Sequence, residues 1–166
     1  MRQVSIERLF SDNRERLNLT WRAGRQGGNR VLAGDTELKP TMGQVGHMNF
    51  IHPFRIQILG AAEIAYLAAL SEEEVRAAID RLFAGELIAA AVANGETPPP
   101  YLVQRCNAAH VPLLTSPQPS PHLVDVFRYY LARVLAESTT LHGVFLDVLE
   151  MGVLITGASA IGKSEL

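Results

Sequence analysis

Four successive runs within residues 87–114 decide the fold. They are Leu87-Ile-Ala-Ala-Ala-Val92, then Asn94-Gly-Glu-Thr-Pro-Pro-Pro100, then Leu102, Val103, Cys106 and Ala109, and finally Val111-Pro-Leu-Leu114. The first run is wholly apolar and of strand length, and the second is a loop. In the third the apolar residues fall at helical spacing, and the fourth returns as a strand. A strand, a crossover helix and a second strand at this spacing predict a parallel α/β unit. Cys106 falls on the apolar stripe of the helix and reads as inert core.

Upstream, Arg55-Ile-Gln-Ile-Leu59 alternates and stops at Gly60, the pattern of a strand, after apolar Val45, Met48, Phe50 and Ile51. By that alternation Arg55 and Gln57 are expected on the solvated face of an edge strand. Ala61–Leu70 is rich in helix formers. Ser71-Glu-Glu-Glu74 is a capping-box signature that opens a helix striped by Val75, Ile79, Leu82 and Phe83 and stopped by Gly85. Its acids therefore read as a helix start and not a metal site. Further back, Ile6, Leu9, Phe10 and Leu17 mark a short helix over 5–17 and Asn18–Trp21 a strand. Arg22–Asn29, with three glycines, is a turn or loop.

Downstream, Thr115-Ser-Pro-Gln-Pro-Ser-Pro121 is the best candidate for a linker, with Ser120 placed to cap and Pro121 at the first helical position. Val124, Phe127, Leu131, Val134 and Leu135 share one face of the helix that follows. Gly143–Val148 and Gly152–Thr156 read as two strands. The fold class expected is α/β, with one domain over 1–133 and the opening of a second over 134–166.

Composition narrows the function classes. Hydrophobic residues make up 48% of the 166 and charged residues 19%, enough for a core and too apolar for disorder. The net charge of −2, with the arginines at 14, 16, 22, 25 and 30 dispersed, argues against nucleic-acid binding. One cysteine excludes an internal disulfide and a Cys-rich zinc site. The charged start has no apolar run behind it, so no secretory signal is expected there. No apolar run approaches the ~18 residues of a membrane span. A soluble cytoplasmic protein is expected.

The chemistry lies in Gly157-Ala158-Ser159-Ala160-Ile161-Gly162-Lys163-Ser164, which matches the P-loop pattern of Gly, four residues, then Gly-Lys-Ser. Backbone amides of such a loop turn inward and cradle phosphate oxygens, and a helix starting there adds its positive end. Lys163 is placed to reach β and γ phosphates, and Ser164 to offer a hydroxyl to Mg²⁺. Gly162 leaves room for the phosphate chain. The loop follows the apolar strand Val153-Leu-Ile-Thr156, as this pattern requires. A nucleotide site is expected here, the alternative being an accidental Gly-rich turn.

From about residue 43 the chain resembles the HPr kinase/phosphorylase family. The resemblance is specific in Ser138-Thr-Thr-Leu-His-Gly-Val144, Leu146-Asp-Val148, Gly152–Gly157 and Gly162-Lys-Ser-Glu165. It is looser in Arg55–Gly60 with Glu63, Tyr66 and Leu67, and in Val111-Pro-Leu113. It implies a bifunctional enzyme that uses ATP and Mg²⁺ to phosphorylate a serine of HPr, the phosphocarrier of the sugar phosphotransferase system. The same enzyme would remove that phosphate by phosphorolysis and work as a hexamer. It further implies an N-terminal α/β domain similar to the first domain of the Mur ligases. By position His142 corresponds to an active-site histidine, Lys163 to the catalytic lysine and Ser164 to a magnesium ligand.

The family has Asp and Gly where Ala158 and Ala160 stand, and Gly in place of Glu150. Ala160 puts a Cβ where the loop is expected to need positive φ, so weakened nucleotide affinity is expected. The family's paired aspartates, one of them the general base, are expected past residue 166, so the chain alone is expected to be inactive.

Other readings compete. On composition alone His142 is a hydrogen-bonded structural residue; its place beside the P-loop strand favours a role at phosphate. Asp147 reads as structurally paired rather than as a site residue. His47, His52, His110 and His122 lack metal-ligand spacing and read as loop or helix-end residues. The alternatives to the HPr reading are an unrelated P-loop small-molecule kinase and a non-catalytic assembly or regulatory module.

Overall fold

The computed structural model describes residues 3–33, 49–51, 55–136, 143–148 and 151–156, with the short strands at 49–51, 143–148 and 151–156 given by their backbone. Two compact units result, Met1–Ala136 and Glu137–Leu166. The first unit mixes helices and strands, an α/β arrangement.

In the first unit the order is β1 (Gln3–Ser5), α1 (Ile6–Leu17), β2 (Thr20–Ala23), β3 (Val31–Ala33), β4 (Asn49–Ile51), β5 (Ile56–Leu59), α2 (Ala61–Ala68), α3 (Glu72–Ala84), β6 (Ala89–Val92), α4 (Pro100–Ala108), β7 (Leu113–Thr115) and α5 (Ser120–Leu135). A five-stranded sheet runs β2-β7-β6-β5-β4, and β1 pairs with β3 in a separate ribbon. The predicted crossover is present: β6 pairs parallel with β7, and β5 parallel with β6, while β2 and β4 close the sheet antiparallel at its two edges.

Side-chain alternation explains why helices cover both faces. Ile56, Ile58, Ala89, Ala91 and Leu114 join one cluster with α1 and α5; Leu59, Ala90, Val92 and Leu113 join the other with α3 and α4. Successive strand residues point to opposite faces, so each strand feeds both cores. Such near-continuous apolar runs are the mark of parallel strands buried on both sides. Burying a side chain such as Ile56, Ile58 or Leu113, each at most 1% exposed, stabilises by roughly 1.5–3 kcal/mol.

Local rules set the helix ends. Ser5 accepts from the Arg8 amide at 3.2 Å to start α1, and Asn18 closes it in the left-handed region. Ile6, Leu9, Phe10, Asn13 and Leu17 form its buried stripe. The capping box of α3 is formed in both directions: the Glu74 amide donates to Ser71 Oγ at 3.4 Å, and the Ser71 amide to Glu74 Oε2 at 2.8 Å. Gly85 ends α3 in extended backbone rather than in a left-handed cap.

Two expectations are corrected. β5 is not an edge strand, since β4 lies on one side and β6 on the other. Gln57 is 2% exposed: it lies on the same face as Leu59, which α2–α4 cover, and is not solvated. Arg55 is half-buried at positive φ and pairs with Glu86.

Nor is 115–121 a linker. Ser116 is buried and donates its hydroxyl to the Leu17 carbonyl, and α5, which begins at Ser120 with Pro121 second, packs on β1 and β5 inside the first unit. The prolines shape a short packed connection.

The second unit is described by β8 (Gly143–Val148) and β9 (Met151–Thr156), an antiparallel pair in continuous register from Gly143↔Thr156 to Val148↔Met151. Both predicted strands are present. Among the described residues no helix is long and apolar enough to cross a membrane.

Candidate functional site

The P-loop stretch 157–164 and His142 lie outside the described residues, as do His47 and His52. What is described is the pair of strands that lies between residue 142 and residue 157 in sequence. β8 and β9 each hold six residues, and two more, Leu149 and Glu150, connect them in sequence. Gly143 faces Thr156 at the open end. The chain enters β8 from residue 142 and leaves β9 into residue 157 at that same end. Cα atoms of facing residues in such a pair lie ~4.5–5.5 Å apart.

Asp147 faces Gly152, four positions from the open end. At ~3.4 Å per residue its backbone is about 14 Å from that end.

The first unit tests the other candidates. Cys106 is fully buried in α4, and burial pushes its thiol up to about 12 against the opposing pull of Arg105 and Arg30. It stays a protonated thiol and packs as core, as expected. His110 sits in a left-handed turn just after α4, and His122 in the first turn of α5. Among the described residues no three His, Cys, Asp or Glu side chains gather where they could hold a metal. Glu74 is occupied by its cap, whose Ser71 hydrogen bonds hold its carboxyl below the usual range, and Glu72 pairs with Arg76 at 2.7 Å. Glu63, from the looser resemblance block, is buried and accepts from the Gly60 amide at 2.8 Å, fixing the start of α2.

The sequence reading missed one feature. A cavity of about 350 Å³ opens beside the carboxyl ends of β6 and β7, lined by Thr20, Arg22, Glu96, Thr97, Thr115 and Pro117 among others. Arg22 had been assigned only to a turn. The topology that builds the cavity depends on which face each helix takes, and composition does not reveal that.

Comparison with known proteins places both units. The family described as HPr Serine kinase N terminus matches residues 4–131, and that described as HPr Serine kinase C-terminal domain matches residues 133–166. The HPr kinase/phosphorylase of Chromobacterium violaceum is 50% identical over 166 residues, 100% of this chain and 52% of that protein. That of Neisseria meningitidis serogroup C is 47% identical over 166 residues, again 100% and 52%. That of Burkholderia mallei is 44% identical over 165 residues, 98% of this chain and 51% of the relative. The chain spans about half the length of the curated relatives it matches.

Proposed function

The chain belongs to the HPr serine kinase family, and from that membership we propose that the protein phosphorylates a serine of HPr with ATP and Mg²⁺ and reverses the modification by phosphorolysis. The observation that carries the reading is the register of β8 with β9. Pairing Gly143 with Thr156 gives residue 142 and the Gly157–Ser164 loop a common point of departure.

In this reading the amides of Gly157, Ala158, Ser159, Ala160, Ile161 and Gly162 cradle phosphate oxygens, and Lys163 holds the β and γ phosphates. Ser164 offers a hydroxyl oxygen, a donor suited to a hard cation. Mg²⁺, when bound, would neutralise charge across the β and γ oxygens. His142 orients or neutralises the phosphate being transferred. In the kinase direction the HPr serine oxygen bonds to the γ phosphorus, ADP leaves, and a carboxylate takes the serine proton. The base is assigned to one of the paired aspartates that the family resemblance implies past residue 166. Residues 1–166 alone are accordingly expected to be inactive. In the reverse direction inorganic phosphate takes the phosphoryl group, giving serine and pyrophosphate.

The protein is further proposed to be cytoplasmic and hexameric, as part of sugar phosphotransferase regulation. Its first domain, over about 1–133, would be similar to the first domain of the Mur ligases, and its catalytic domain would open at about 134.

A second reading treats the first unit as a non-catalytic assembly or regulatory module. It is favoured by the two hydrophobic clusters that close within Met1–Ala136.

The test is an assay of the whole protein with purified HPr. ATP·Mg²⁺ should yield phosphoserine on HPr, and added phosphate should release pyrophosphate. Lys163→Ala should abolish both. ATP turnover that leaves HPr unmodified would point to an unrelated P-loop kinase.

A further inference from the structure

The connections of β6 and β7 diverge. β6 leads through residues 93–99 into α4, whose Leu102 and Cys106 pack on the face carrying Ala90 and Val92. β7, its parallel neighbour, leads through 116–119 into α5, whose Leu123, Phe127 and Leu131 pack on the opposite face with Ala89 and Ala91. Adjacent parallel strands whose exits turn to opposite faces leave a crevice at their carboxyl ends, the place where open α/β sheets take ligands. The cavity of about 350 Å³ lies there, between Gly95–Pro98 and Thr115–Pro117. Topology and cavity are independent observations that agree on one location.

Its lining is chemically uncommitted. Thr20 and Thr115 face each other across the β2–β7 pair, and Thr97 adds a third hydroxyl. Arg22 and Glu96 form no ion pair with each other or with any other described residue. In a second cavity, between α3 and α4, Arg76 is already held by Glu72 and by the Tyr101 ring, 5.1 Å from its centroid. Ser116, at the margin of the first cavity, is committed to Leu17.

One free cation and one free anion on the same cavity select a ligand that carries both charges. A purely anionic ligand would set like charge against Glu96, and a purely cationic one against Arg22. A neutral polyol would leave both groups without a charged partner. We propose that this crevice binds a free amino acid, with its carboxylate on Arg22, its ammonium on Glu96 and its polar side chain among the threonine hydroxyls. The site is separate in sequence from the proposed nucleotide loop and does not depend on the kinase reading.

The test uses the whole chain, adding each of the twenty amino acids singly at millimolar concentration. Thermal unfolding and the fluorescence of Trp21, the chain's one tryptophan and the neighbour of both Thr20 and Arg22, are followed. One or a few amino acids should raise Tm and titrate the fluorescence. Arg22→Ala and Glu96→Gln should each weaken that binding about tenfold, the worth of one charge-assisted hydrogen bond. Arg22→Lys should retain part of it. Arg22 is exposed and Glu96 half-buried, and unchanged circular dichroism and unliganded Tm will show that the variants fold. Parallel arms with a phosphorylated polyol and with a simple polyol separate the ligand classes. Binding confined to either of those arms, no amino-acid binding, or binding indifferent to both variants would overturn the proposal.

Discussion

The Ser116 hydroxyl donates to the Leu17 carbonyl at 2.6 Å, joining the end of α1 to the exit of β7 across 99 positions of sequence. The same oxygen accepts from the Gln118 amide at 3.1 Å. A single buried hydroxyl thus satisfies one helix-end carbonyl and one loop amide.

Ser116→Ala should therefore destabilise the protein by about 1–3 kcal/mol, the cost of leaving a buried polar group unpaired. Urea unfolding should show a lower midpoint with an unchanged slope. Stability equal to the parent's would mean that water replaces the hydroxyl.

Gly24 has φ +65, donates its amide to Asn107 Oδ1 at 2.8 Å, and lies so close to the segment leading into β7 that a Cβ would meet the Val111 carbonyl. Gly24→Ala adds left-handed strain, about 1–2 kcal/mol, to a backbone clash. Loss of more than ~3 kcal/mol, read by thermal unfolding, is expected from the two together.

Alkaline stability should fall in a defined window. Burial raises the Cys106 thiol from 9.0 to about 12. Burial, and then the hydrogen bond to Asp12, raise the Tyr130 phenol from 10.0 to about 12. Both groups hold their protons more tightly when folded. Their contribution is full below pH 9 and is lost as pH rises through 9–12. Cys106→Ala should flatten the loss that begins near pH 9, and Tyr130→Phe the part above pH 10. The native thiol should be inert to a disulfide reagent at neutral pH and react on unfolding.

Under the proposed nucleotide-site reading, Ala160 stands where glycine is expected. Ala160→Gly should tighten ATP binding by the whole protein several-fold, as expected from relieving about 1 kcal/mol of backbone strain. Calorimetric titration with ATP·Mg²⁺ checks it. An unchanged affinity would mean that residue 160 has negative φ in the loop.

Elements governed by neighbours in sequence were legible in advance. Ser71 and Glu74 announce their cap because both partners lie within one turn. Ala89–Val92 and Leu113–Thr115 announce buried strands because no polar residue interrupts the first run or precedes the threonine of the second. What escaped depends on distant pairing. β1 and β3 are three residues each and gain their identity only from one another, 28 positions apart at Val4↔Leu32 (32 − 4). Gln57 alternates as a solvated residue would, and only the helices laid over its face reveal its burial. The prolines of 115–121 look like a linker until Ser116 finds Leu17. The Arg22–Glu96 crevice was not legible, since three separate segments of the chain build it.

The β8–β9 ladder also has an entropic consequence. Bringing the ends of a flexible segment of this length together costs on the order of 2 kcal/mol. Six paired positions meet that cost during folding. Residues 142 and 157, joined in sequence to Gly143 and Thr156, are thereby tied to one end of the ladder, so under the proposed function the histidine and the loop would start each cycle at a high effective concentration to one another.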